Sequence, residues 1–155
     1  MPSLLALLRE QLETTLREEG TLYGSLAGAK VSFIAYPYFT PKQLFLTYEN
    51  IHILDIQDIA VMKIIAISQR GKKRDFFDLY WYVNNREPLI QILVRVKGQY
   101  PNTQHNYHHI IKSLTFFSEA ESDTDVAPQI LCKATWEQVK KYFLSIVPDV
   151  ANRFL

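Results

Sequence analysis

The strongest constraint on the fold lies in residues 55–82, where apolar residues recur at helical spacing on both sides of Gly71. Asp55 precedes the first apolar run and belongs to a residue type that caps helix N-termini, and Asp58 follows it at N3 spacing. Arg70-Gly71 is a C-terminal stop signal, after which a second helical pattern begins. The spacing therefore predicts a pair of consecutive helices, over about 55–70 and 74–84.

The other segments predict a small sheet followed by a helical layer. Stretches rich in β-branched and aromatic residues predict strands near 29–36 and 43–54. Leucines at three- and four-residue spacing predict a helix from Ser3 to about Glu19, and further helices are predicted over 88–97, 104–120 and 135–147. The last helix is predicted to stop before Pro148, and the acidic stretch 118–128 is predicted to be a loop. The expected fold class is α+β, with an incomplete sheet packed by several helices.

Length and composition favour one globular domain over residues 1–155, since 48% of the residues are hydrophobic and 21% are charged. The formal net charge of +1 gives no argument for a nucleic acid or membrane partner. The single Cys132 cannot close an intramolecular disulfide, and the chain opens on no signal-peptide pattern, which predicts a cytoplasmic location. Charges interrupt every apolar stretch before the ~18 residues that a membrane span needs.

Charged residues on the two central helices are expected to form one cluster. Lys63 lies in an apolar stripe, where burial disfavours the ammonium unless an anion is close. Arg70 follows seven residues later at nearly the same helical angle. On the second helix Asp75 and Asp78 share a face, with Tyr82 one turn beyond Asp78. The helix pair, with Arg74 at the start of its second helix, is therefore expected to gather Lys63, Arg70, Arg74, Asp75 and Asp78 into one charged cluster.

The turn between these helices, RGKKRD, leaves two interpretations open. Lys72, Lys73 and Arg74 reach the start of the second helix, where free backbone N–H groups also favour an anion such as phosphate. Alternatively, the aspartates only cap helices and the turn is a solvated surface. Lys63 is the residue that this second interpretation explains least well, because a lysine in an apolar stripe reaches water only where its helix lies near the surface.

The string DIAVMKIIAISQRGKKRDFFDLY, from Asp58 to Tyr80, resembles the signature of the AbiEii/AbiGii nucleotidyltransferase-toxin family. AKVSFIAYPY at 29–38 resembles the family's strand before that signature, and FFSEAES and TWEQVKKYF extend the resemblance over most of the chain. The resemblance implies a nucleotidyltransferase-like fold and transfer of a nucleotide from a triphosphate to an acceptor. It also implies a role in toxin–antitoxin or phage-defence systems, with a nucleoside triphosphate and an antitoxin protein as partners.

The resemblance also assigns roles to individual residues. Lys63 is expected to steady a phosphate, and Asp75 is the expected acid–base or orienting carboxylate, so these two are the predicted catalytic residues. The predicted nucleotide-binding residues are Arg70, Lys73, Arg74, Asp78 and Tyr82.

The chain departs from the full family pattern in its metal-binding motifs. Complete members carry a Gly-rich turn and an Asp-x-Asp pair that holds Mg²⁺, whereas Gly24-Ser25 here is followed by no acidic pair. Asp123 and Asp125 do have Asp-x-Asp spacing, but they are interpreted as solvated acids. No metal ligand or cofactor is therefore predicted for this chain. We expect a degenerate or truncated member that is inactive as this chain alone.

Two further expectations concern partners and alternatives. The alternative function is a non-catalytic interaction or regulatory module in which the charged cluster is structural. An incomplete sheet would expose a strand edge and an apolar surface, which predicts a homo-oligomer. His105, His108 and His109 have helical spacing suited to zinc, although an ordinary polar helix face is the favoured interpretation.

Overall fold

The computed structural model describes residues 12–123 and 132–155. The chain divides into two compact units, Met1–Pro37 and Tyr38–Leu155. In its described part the first unit is a three-stranded sheet, whereas the second unit contains a two-stranded hairpin and a layer of helices. These elements confirm the predicted α+β class. The single domain over 1–155 stays a prediction.

The first unit is an antiparallel sheet in which the strands follow one another in sequence. Its strands are β1, Leu12–Glu18, β2, Thr21–Leu26, and β3, Ala29–Ile34. Ala27 and Gly28 join β2 to β3 with φ values of 50° and 79°. A two-residue hairpin turn with both residues in the left-handed region matches the natural twist of the strands. Strand β3 confirms the strand predicted near 29–36.

The helix predicted from Ser3 to Glu19 is wrong in the part that the structure describes, because residues 12–18 form β1. Residues 3–11 of that prediction lie outside the described residues. Thr14 and Thr15 are β-branched and favour a strand. The leucines that suggested a helix pair across the sheet instead, Leu12 with Leu26 and Leu16 with Tyr23. Pairing with β2 thus overrides the helical leucine spacing.

The second unit opens with a short hairpin that presents apolar side chains to solvent. Strands β4, Leu46–Tyr48, and β5, Ile51–Ile53, confirm the extended structure predicted near 43–54. Leu44 is 92% exposed, and five other large apolar side chains of this hairpin are exposed as well: Phe45, Leu46, Tyr48, Ile51 and Ile53. The hairpin therefore has the exposed apolar character that motivated the predicted homo-oligomer, which itself stays a prediction.

The helices of the second unit supply its core. They are α1, Ile56–Arg70, α2, Lys73–Asn85, α3, Leu89–Gln99, α4, Tyr107–Ser113, α5, Ser118–Ser122, and α6, Trp136–Phe154. Ile64, Phe76, Leu79, Ile92 and Phe143 have no exposed surface, so α1, α2, α3 and α6 share one apolar interior. Within the described ranges, no helix combines the length and apolar character needed to cross a membrane.

The single helix predicted over 104–120 is wrong, since α4 and α5 are separate. Asn106 caps α4 by accepting a hydrogen bond from the His109 backbone N–H at 3.0 Å, which delays the helix start. At its end the Ser113 and Thr115 hydroxyls donate to backbone carbonyls and compete with helix continuation. The acidic stretch 118–128, predicted to be a loop, accordingly begins with the helical residues of α5.

The predicted stop of the last helix before Pro148 is also wrong, because α6 continues to Phe154. Its start is as predicted, with Thr135 and Gln138 forming a capping box. A proline removes one backbone N–H and crowds the preceding turn. Beyond Pro148, however, Val150, Ala151 and Phe154 pack against the core, and this burial offsets the local cost.

Asp58 is a buried polar anchor rather than a helix-capping residue. Asp55 caps α1 by accepting from the Gln57 N–H at 2.8 Å, as predicted. Asp58 has no exposed surface and accepts hydrogen bonds from the backbone N–H groups of Lys42 and Gln43 at 3.0 and 3.1 Å. The Gln99 side-chain amide donates to its second oxygen at 2.5 Å. One carboxylate thus joins the entry to the hairpin, α1 and α3.

We expect Asp58→Ala to lower the free energy of unfolding by about 2–4 kcal/mol, because three donors would lose their acceptor and one of them belongs to the fully buried Gln99. Asp55→Ala is the matched control, since it removes one N-cap hydrogen bond at the same end of α1, worth about 1 kcal/mol. Urea unfolding followed by circular dichroism measures both values. Equal losses in the two variants would contradict the anchoring role of Asp58.

Candidate functional site

The link between α1 and α2 is short because the sequence ends one helix sharply and starts the next at once. Gly71 adopts φ 48°, and its N–H donates to the Ile67 carbonyl, which closes α1. Lys72 is extended, and α2 begins at Lys73. Because the link is so short, Lys63 and Arg70, which are seven residues apart on α1, both reach Asp75 in the first turn of α2.

Four of the predicted site residues meet across this link, and we call them the charged cluster: Lys63, Arg70, Asp75 and Asp78. Lys63 Nζ lies 2.9 Å from Asp75 Oδ1 and 2.6 Å from Asp78 Oδ2. Arg70 Nε lies 3.2 Å from Asp75 Oδ2, and its Nη2 lies 3.4 Å from Asp75 Oδ1. Asp75 therefore accepts from both cations, as the spacing predicted.

Burial within the charged cluster decreases from Asp75 outwards. The Asp75 side chain is 0% exposed, that of Lys63 is 23% exposed, and those of Arg70 and Asp78 are 49% and 52% exposed. A buried carboxylate without a cation would be costly, so Asp75 requires its partners. The charged cluster thus extends from the core, at Asp75, to the solvent-exposed surface, at Asp78.

The electrostatic balance at Lys63 favours its charged form. Burial alone would lower the pKa of this ammonium, but the hydrogen bonds and charges of Asp78 and Asp75 outweigh burial and raise its pKa. Lys63 therefore stays protonated at neutral pH. It acts as a fixed cation and not as a proton donor or acceptor.

The other three predicted nucleotide-binding residues lie outside the charged cluster. Lys73 Nζ is 5.5 Å from the centre of the Trp136 ring, a cation–π distance, and Arg74 is exposed. Tyr82 is 3% exposed and donates a hydrogen bond to Glu87. Burial and this hydrogen bond raise the pKa of Tyr82. The nucleotide-binding roles of Lys73, Arg74 and Tyr82 stay predictions.

A second charged network, which the sequence reasoning missed, supports α2 and α3. Arg95 pairs with Glu87 through two hydrogen bonds, and Glu87 also accepts from Tyr82. The signal that identified Lys63 is weaker here. The residues three and four positions from Arg95 are Gln91, Ile92, Gly98 and Gln99, and Ile92 is the one large apolar side chain among these four.

The donor set of the described residues does not fit a metal site. Across 12–123 and 132–155, no three His, Cys, Asp or Glu side chains lie together in a way that could hold an ion. His105 and His109 make hydrogen bonds to the Tyr100 and Ser68 carbonyls. Asp123 is 11% exposed, with Lys72 Nζ 3.9 Å away, so it is not the fully solvated acid that was predicted. Asp125 lies outside the described residues.

Comparisons with known proteins agree with the resemblance seen in the sequence. The family model described as "Nucleotidyl transferase AbiEii toxin, Type IV TA system" matches residues 30–154. An uncharacterized protein of Aquifex aeolicus (strain VF5) is 33% identical over 132 residues, which cover 82% of this chain and 60% of that protein. The chain thus spans about 60% of the length of this relative. No solved structure matches the chain significantly.

Because the pKa of Lys63 is raised, we expect the free energy of unfolding to fall at alkaline pH. A folded-state pKa above the ordinary value of 10.5 stabilises the protein below that value, and the contribution is lost as pH rises through the folded pKa. From about pH 10 upward, as the pH rises through the folded-state pKa of Lys63, we expect the wild type to lose more unfolding free energy than Lys63→Met. Urea titrations across this range measure the difference in unfolding free energy between the two proteins. The pKa of Tyr82 is also raised, but its contribution is common to both proteins and cancels in this difference. Identical pH profiles would contradict the assignment.

Proposed function

We propose that the charged cluster faces the phosphates of a nucleoside triphosphate, because the chain belongs to the AbiEii nucleotidyl transferase toxin family of type IV toxin–antitoxin systems. Nucleotidyl transfer develops negative charge on phosphate oxygens, and cations fixed in advance stabilise that charge. The observation that carries the proposal is the position of Lys63 Nζ, held by a buried carboxylate yet open to solvent. Such a cation is oriented before any ligand arrives.

The hydrogen-bonding capacity of the two cations supports this proposal. A lysine ammonium has three donors, and the two aspartates engage two of those on Lys63. Arg70 directs Nε and Nη2 at Asp75, while its half-exposed guanidinium has further N–H groups for a phosphate. Both oxygens of Asp75 are engaged with these cations. We therefore assign Asp75 the orienting role, and Lys63 and Arg70 the contact with phosphate.

For this chain, the proposed function is phosphate binding. For the whole protein, we propose transfer of a nucleotide, with an antitoxin protein as partner. The described residues provide no set of ligands for Mg²⁺, which prefers several oxygen ligands in a regular octahedron. No step is therefore assigned to a metal here. In this proposal, the described residues supply the nucleotide-facing helix pair.

Replacing Lys63 should weaken triphosphate binding. In isothermal titration calorimetry of the full chain with ATP, we expect Lys63→Met to weaken binding by about tenfold or more, since a desolvated contact between charged groups contributes about 1.5–3 kcal/mol. Lys140→Met is the matched control, because Lys140 Nζ also lies 2.9 Å from each of two carboxylates, Glu121 and Glu137. Absence of ATP binding by the wild type, or equal binding by Lys63→Met, would overturn the proposal.

The second candidate is an interaction or regulatory module in which the charged cluster is only structural. The observation that favours it is charge balance, since two cations and two carboxylates neutralise each other. Its role would then be to fix α1 against α2.

Thermal unfolding of Lys63→Met tests this second candidate. Removing Lys63 alone leaves the buried Asp75 with Arg70 as its remaining cation, and breaking a buried ion pair is destabilising. A purely structural cluster therefore predicts a Tm lowered by several degrees in Lys63→Met, together with ATP titrations equal to those of the wild type. An unchanged Tm, or ATP binding that Lys63→Met weakens, would count against this candidate.

A further inference from the structure

The two carboxylates that hold Lys63 are not equivalent. Asp75 is fully buried and accepts from Arg70 as well, so it has two cationic partners. Asp78 is 52% exposed, and within the described part of the chain its ion-pair partner is Lys63, at 2.6 Å. The Lys63 ammonium is therefore held by one buried carboxylate, that of Asp75, and one half-exposed carboxylate, that of Asp78.

The cost of breaking each contact differs because of this unequal burial. Separating Asp75 from Lys63 would leave part of a buried charge uncompensated, which costs several kcal/mol in proteins generally. Separating Asp78 costs little, because water can solvate the released carboxylate and exposed ion pairs are weak. Rotation of the Asp78 side chain is enough to vacate its place at Lys63 Nζ. Asp78 is thus the partner that Lys63 can exchange.

An arriving phosphate needs that place. The charged cluster is neutral as it stands, so it offers a polyphosphate little net attraction, and the Asp78 carboxylate lies at the solvent side where the ligand must approach. A phosphate oxygen that replaces the Asp78 carboxylate would accept the same hydrogen bond from Lys63 Nζ. Its binding would also avoid the electrostatic repulsion between that carboxylate and the phosphate. The remaining cluster of Lys63, Arg70 and Asp75 carries one net positive charge.

We propose that Asp78 is an exchangeable internal anion that occupies the phosphate position on Lys63 and lowers the affinity of the empty site for polyphosphates. This inference rests on the proposed function and specifies how that site is controlled. Asp78 is therefore an affinity-setting residue. Its removal should strengthen phosphate binding, whereas removal of a residue that contacts the ligand weakens it.

The test compares Asp78→Asn with the wild type for binding of inorganic tripolyphosphate and ATP by the full chain, in the presence of a chelator. We expect Asp78→Asn to bind both probes about threefold to tenfold more tightly. Glu121→Gln is the matched control, since Glu121 is also 52% exposed and lies 2.9 Å from the ammonium of Lys140. This control should leave both affinities unchanged. The double variant with Lys63→Met should lose the gain.

A ligand-free measurement separates failure of this inference from failure of the proposed function. Acylation of individual lysines, followed by peptide mass spectrometry, should show Lys63 reacting faster in Asp78→Asn, with Lys140 as internal reference. Unchanged Lys63 reactivity, or Lys63-dependent binding that Asp78→Asn leaves equal or weaker, would overturn the exchange. No probe binding in any variant would instead overturn the proposed function, and with it the identity of the replacing anion.

Discussion

The buried carboxylate of Asp75 is the constraint on which the arrangement of α1 and α2 depends. It has no exposed surface, so its charge is tolerated only because Lys63 and Arg70 both reach it from α1. These cations are seven residues apart, and they bracket one aspartate only if α2 begins immediately after α1 ends. The left-handed conformation of Gly71 permits that short link. Backbone geometry and charge pairing therefore specify the same helix arrangement.

A second buried carboxylate does corresponding work at the other end of α1. Asp58 gathers two backbone N–H groups from residues 42–43 and the amide of Gln99, while Thr40 N–H donates to the Gln99 carbonyl. These bonds fix the segment that leads into the exposed hairpin. Between the two carboxylates, α1 contributes Val61 and Ile64 to the fully buried core. Apolar burial supplies the driving force, and the carboxylates select one way of packing.

What could be predicted from the sequence depended on how local the determining interaction was. The α1–α2 link and the charged cluster follow from caps and helical spacing within about twenty residues, and both were predicted from Lys63, Gly71 and Asp75. Leu12–Glu18 was misread because its strand partners lie in a later segment. Asp58 was read as a cap because its partner Gln99 is 41 residues away. In these two failures, a partner in another segment outweighed a preference read from one segment alone.

The two charged networks of the helical layer differ in the exposure of their carboxylates, which is why the proposed ligand contact involves only one of them. Lys63 and Arg95 are almost equally buried, with side chains 23% and 22% exposed, so burial of the cation does not distinguish them. The partners do. Glu87 is 21% exposed and engaged by both Arg95 and Tyr82, which closes that network within the protein. Asp78 is 52% exposed, which leaves Lys63 accessible from solvent. A fixed cation with a displaceable partner is what an anionic ligand requires, and only the Lys63 network of these two provides it.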